Sequence, residues 1–184
     1  MPAEQRSSAA PAPIVAAPED GEALWFNQDL LVFKATSETT GGAFALFEEH
    51  SQRGKATPLH AHPDADESFY VLEGEVLIEI EGTQQAAGSG GFVAVPRGVP
   101  HAFTVTSDTA IVLTMITPGS PALEAFFRDA GEPAPAHRLP PPGPLDIERI
   151  QAAATRHGSV VILGPPPFPP PAGSDAASQS PHAA

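Results

Sequence analysis

The sequence predicts an all-β fold: a single antiparallel jelly-roll β-barrel, followed by two C-terminal helices and bounded by disordered termini. Three observations carry this. Between Leu30 and Thr117, short segments rich in β-branched and aromatic residues follow one another, interrupted at regular intervals by Gly, Pro, Asp or Ser. No stretch between them has the length and period of a crossover helix, which argues against a parallel sheet and for a sandwich or barrel. Helical periodicity begins only after Ser120.

Taken in order, residues 1–21 are rich in Ala, Pro and Ser and hold too little large apolar surface to offset their ordering entropy, so a flexible arm is expected. Residues 22–119 form the barrel. Its strands are expected at Leu30 to Ala35, Ala43 to Glu48, Ser68 to Glu73, Glu75 to Glu81, Gly91 to Val95, His101 to Thr106 and Ala110 to Thr117. In Glu75 to Glu81 the residues alternate, with Val76, Ile78 and Ile80 on one face and Leu77 on the other. Glu73-Gly74-Glu75 is a hairpin candidate. Pro96-Arg97-Gly98 is a turn, because Pro fixes φ and Gly tolerates a positive one. With no internal repeat, one barrel is expected.

Residues 120–164 form a helical extension. Ser120 caps a helix with Pro121 at its first position and Gly131 at its end, and Leu123, Phe126, Phe127 and Ala130 make an apolar stripe that would dock on the barrel or partly close its mouth. A Pro-rich linker over residues 132–144 leads to a second helix from Leu145, stopped by Gly158, and Val160 to Leu163 reads as an added strand. Residues 165–184 read as a disordered Pro/Ala-rich tail.

The formal net charge of −13, from 9 basic and 22 acidic residues, argues against nucleic acid as a partner. The chain has no Cys, so disulfide and thiolate chemistry are excluded. The first residues lack the basic and apolar regions of a signal peptide, and no run has the length of a membrane span. A cytoplasmic protein with no membrane partner is expected.

His60 and His62 stand at i and i+2, on one face of a strand. Glu67 follows one short turn later, ahead of Ser68-Phe69-Tyr70-Val71-Leu72. If those two strands are neighbours, the three side chains converge, giving two imidazoles and a carboxylate on rigid elements. The turn at Gly98 delivers His101 as a fourth donor. His60, His62, Glu67 and His101 are therefore candidate ligands of one divalent transition metal ion, with positions left for water or substrate. Imidazole plus carboxylate suits Fe, Ni, Co, Mn, Cu or Zn and does not choose among them. His50, placed in a polar loop, His137 and His182 in Pro/Ala-rich segments, and His157 at a helix C-terminus need no ligand role.

At these residues the chain resembles the cupin superfamily. Gly54, His60, His62, Glu67 and Gly74 fit its pattern G-x5-H-x-H-x4-E-x6-G, and Gly90, Pro96, Gly98 and His101 fit G-x5-P-x-G-x2-H. Val105 stands where the family pattern ends in Asn, a residue that is not a metal ligand in the family. The resemblance covers roughly Leu30 to Thr117. With Pro118, Gly119, Glu124, Phe126 and Phe127 after the barrel, the chain looks like bacterial one-barrel cupins of the quercetinase (flavonol dioxygenase) type. That resemblance implies a three-His, one-Glu metal centre, with Glu67 also acting as the base that takes the substrate proton. It implies a small-molecule substrate and O₂, cleavage of the heterocycle with loss of carbon monoxide, and a homodimer, as cupins often form.

The period of the strands sketches a pocket. If His101 and Glu67 face inward, Phe103, Val105, Phe69 and Val71 do too. The strand from Ala43 offers either Phe44 and Leu46, or Ala45 and Phe47. The candidate lining is Phe44, Leu46, Phe69, Phe103 and Val105, which suits a flat or hydrophobic ligand. Three function classes stay open: a metal-dependent dioxygenase on a flavonol-like or other phenolic or enolic molecule, a non-oxidative metalloenzyme (isomerase, cyclase or decarboxylase), and a non-catalytic small-molecule-binding cupin.

Overall fold

A computed structural model of the chain describes residues 11–143 and 145–169. The elements run β1 (Glu22–Phe26), β2 (Asp29–Ala35), β3 (Ala45–Gln52), β4 (Leu59–Ala61), β5 (Asp66–Glu73), β6 (Glu75–Ile80), β7 (Thr83–Gly88), β8 (Phe92–Val95), β9 (His101–Val105), β10 (Thr109–Thr117), α1 (Pro121–Ala130), β11 (Glu132–Pro133), α2 (Ile147–His157) and β12 (Val161–Gly164). Of the predicted arm and tail, residues 1–10 and 170–184 lie outside the described residues, and His182 with them.

Two antiparallel sheets carry the fold. One is seven-stranded in the order β11-β1-β2-β3-β10-β5-β8, the other five-stranded in the order β12-β4-β9-β6-β7. They pack as a jelly-roll sandwich. The predicted barrel is not closed by hydrogen bonds, since β8 and β11 end one sheet and β7 and β12 the other.

Sheet membership corrects two expectations. Glu73-Gly74-Glu75 joins β5 to β6, but these strands lie in different sheets, so Gly74 is a crossing point and not a hairpin. It has φ 77°, and a Cβ there would run into the Thr109 carbonyl and Ser107 Oγ. Gly74→Ala is expected to cost more than about 2 kcal/mol, from the left-handed backbone plus the clash, read by urea unfolding. The second correction is that His50 lies within β3, facing away from the core, with Nε2 3.0 Å from Glu48 Oε2.

Sequence patterning missed β1 and β7. The segment Thr83-Gln-Gln-Ala-Ala-Gly lacks the β-branched run that marks a strand, and it is held by its pairing with β6 instead. Strand β3 begins two residues later than predicted and runs four further, because its whole length pairs with β10.

The helices follow their caps. Ser120 Oγ accepts the Leu123 N–H at 3.2 Å, and Asp146 Oδ1 accepts the Arg149 N–H at 2.9 Å. Gly158 ends α2 in the left-handed conformation. Leu123, Phe126, Phe127 and Ala130 of α1 are buried, and join Ile150, Ala153 and Ala154 of α2 and Phe33 and Phe47 of the large sheet in one core cluster. A second cluster, including Phe69, Val71, Val76, Ile78, Val95, Phe103, Val105 and Val112, fills the other end of the sandwich. Among the described residues no helix is long and apolar enough to cross a membrane.

Candidate metal centre

His60, in β4, pairs directly with His101, the first residue of β9. His62 lies one residue past the end of β4, on the same face as His60. Glu67 comes from β5 in the opposite sheet, so the convergence does not depend on the two strands being neighbours, the condition considered from the sequence. The four side chains converge across the sandwich, and one donor atom from each lies within 4.8 Å of all the others. The Gly98 N–H donates to the His62 carbonyl at 2.7 Å, which ties the Pro96–Gly98 turn to the His strand.

Each imidazole is oriented by its own Nδ1. His60 Nδ1 meets Pro58 O, His62 Nδ1 meets Ser159 O and His101 Nδ1 meets Val99 O, all at 2.9 Å. A carbonyl oxygen only accepts, so each Nδ1 carries the proton and each Nε2 of the neutral ring presents a lone pair to the cluster. Burial, with His101 and His62 beside it, pushes His60 down to about 3, which keeps it neutral. Burial also works against charge on His62, but the Glu67 carboxylate outweighs it and raises that imidazole above its usual range. For Glu67, burial works against ionisation, and the neighbouring imidazoles of His62 and His101 outweigh it, holding the carboxyl well below the usual range.

This donor set fits a divalent metal ion. His101 Nε2 is 2.8 Å and His62 Nε2 3.2 Å from the same oxygen, Glu67 Oε2. With Nδ1–H committed to carbonyls, these are acceptors facing an acceptor, an arrangement that calls for a positive charge among them. His62 Nε2 is buried without an aligned hydrogen-bond partner. Nitrogen and carboxylate donors of this kind suit first-row transition metals.

The cluster borders a cavity of about 70 Å³. Phe69 and Phe103 line it. Phe44, Leu46 and Val105 do not. Strand β3 buries Ala45, Phe47, Glu49 and Ser51, so its phase is the other of the two considered, and Leu46 faces away. Val105 is buried in the second core cluster, beyond the cavity. The remaining walls come from residues outside the candidate lining, two of them from the α1 stripe expected to dock on the barrel or partly close its mouth. Phe126 and Phe127 of α1, Ile150 of α2, and Val160 and Ile162 in and before β12 close the apolar side, and Glu49 and Lys55 add polar groups. Phe44 and Phe47 support opposite phases of this strand, so no signal in the sequence alone turns Glu49 inward.

The fold is a jelly roll, and the four-donor cluster is a candidate metal site. Residues 47–117 match the family described as the cupin domain. Over 139 residues it is 28% identical to a quercetin 2,3-dioxygenase of Bacillus subtilis (strain 168), covering 75% of this chain and 41% of that relative. The chain thus spans well under half the length of this relative. An uncharacterized protein of Aquifex aeolicus (strain VF5) is 29% identical over 59 residues, 32% of this chain and 49% of that one. Among solved structures, an RmlC-like cupin from Shewanella frigidimarina NCIMB 400 superposes with a TM-score of 0.54 at 16% identity, covering 62% of this chain and 99% of that one. That likeness supports the fold.

Proposed function

We propose that the protein is a metal-dependent dioxygenase that uses O₂ on a flavonol-like or related phenolic or enolic small molecule. The observation that carries this reading is the set of three Nδ1-anchored imidazoles and one buried carboxylate at an aromatic-lined cavity. The similarity to a quercetin 2,3-dioxygenase supports it. His60, His62, His101 and Glu67 would hold the metal ion, which would supply Lewis acidity toward the substrate oxyanion and redox access to O₂.

The protein's own part is to orient and to move a proton. Phe69 and Phe103 flank the cluster and exclude water from a flat ring. Glu67 is the candidate base for the substrate hydroxyl. Its anionic form is favoured, so it is always ready to accept but is weakly basic, and transfer depends on the hydroxyl being acidified at the same moment. For a flavonol the balanced reaction consumes one O₂, opens the heterocycle and releases one carbon monoxide.

The cavity volume favours a smaller ligand than a three-ring flavonol. An apolar cavity of about 150 Å³ is what benzene fills, against about 70 Å³ here. A flavonol would have to displace Phe126, Phe127 or Ile150, so a small enol handled without O₂ is the second reading. Oxygen uptake on adding quercetin to metal-reconstituted protein, with carbon monoxide monitored, decides between them. Uptake with carbon monoxide release, lost in His62→Ala, is the expected result. No uptake with Fe, Ni, Co, Mn or Cu would reject the flavonol reading.

A further inference from the structure

Glu49 is a second carboxyl on the cavity that the four-donor cluster does not use. It sits on the inner face of β3 between Phe47 and Ser51, and lines the same cavity as His60, His62, Glu67, Phe69 and Phe103. Thr114 Oγ1 donates to Oε1 at 2.6 Å. Among the described residues Oε2 has no hydrogen-bond partner and no cation forms an ion pair with the side chain. The nearby ammonium of Lys55 is taken by Asp29. Glu49 is close enough to the cluster for its charge to act on both Glu67 and His62, and they on it. Burial pushes its carboxyl up to about 7. A carboxyl set into an apolar wall with one oxygen satisfied is costly unless something else uses the other.

We propose that Glu49 is a positioning residue: its remaining oxygen hydrogen-bonds a second hydroxyl of a ligand whose first oxygen lies at the His60–His62–Glu67–His101 cluster. The site then selects planar, apolar-bodied enols or phenols with two oxygen functions over those with one. The proposal rests on the metal-centre reading and names the ligand class for it, independently of whether O₂ is consumed.

The test is anaerobic binding of catechol and of phenol to the full-length cobalt-loaded protein, by calorimetry, for wild type, Glu49→Gln and Glu49→Leu. Wild type should bind catechol at least about tenfold more tightly than phenol, as a hydrogen bond to a charged or buried group implies. Glu49→Leu should remove that preference, and Glu49→Gln, which still offers an oxygen, should restore part of it. Phenol affinity and one cobalt per chain should be unchanged in both. Equal loss for phenol and catechol, no preference in wild type, no binding of either, or cobalt loss in Glu49→Gln would each overturn the proposal. Preference without oxygen uptake would leave it standing and reject the dioxygenase instead.

Discussion

His62→Ala is expected to strip the protein of metal, while Glu67→Gln keeps most of it and loses turnover. The two residues contribute differently. His62 is locked by Ser159 O at Nδ1 and its buried Nε2 has no aligned partner, so its whole bonding capacity points at the cluster. Removing it leaves three donors and a void, and metal affinity should fall by more than about 100-fold, beyond what loss of a supporting hydrogen bond costs. In Glu67→Gln the amide oxygen still stands beside His62 and His101, at the price of the negative charge. A loss of roughly tenfold in affinity is expected, but a primary amide is no base, and turnover should fall about 10²- to 10⁴-fold. Metal per chain after dialysis, set beside oxygen uptake at saturating metal, reads both. Equal metal loss in the two variants would leave Glu67 a plain ligand.

The sequence carried the four donors because each is fixed locally. His60 and His62 share a face through the period of a strand, and His101 follows a Pro-x-Gly turn whose geometry is written in residue types. What closes the site is not local. Glu67 reaches the three His from the other sheet, and nothing in the spacing between Ala61 and Asp66 says that the chain changes sheets there. The same blindness made Gly74 look like a hairpin. Around the start of β3, Phe44-Ala-Leu-Phe supports either phase, and only packing against Phe33 and Phe127 turns Phe47 and therefore Glu49 inward. The helices were legible from their caps and stripes, and α1 as an element that docks on the barrel or partly closes its mouth, whereas the place of Ile150 of α2 in the cavity wall was not. The contact that orients His62 comes from Ser159, which lies 97 residues along the chain.

Asp29→Ala is expected to be the most destabilising single change outside the glycines, by about 3–5 kcal/mol. Asp29 is fully buried and the Lys55 side chain is 5% exposed, and the two form an ion pair between the start of β2 and the loop before β4. Taking two charges out of water is expensive, so the pair itself need not stabilise the fold. Breaking it leaves Lys55 buried without the counter-charge it pairs with. Lys55 Nζ also lies 5.5 Å from the centroid of the Phe103 ring, so the same change would loosen one wall of the cavity. The double variant Asp29→Leu, Lys55→Met separates stability from charge, because a matched apolar pair of similar volume is expected to be within about 1 kcal/mol of wild type. Urea unfolding of both single variants and the double variant closes the cycle. A strongly destabilised double variant would mean that the pair fixes the local backbone, whereas a mild Asp29→Ala would mean that water already reaches Lys55.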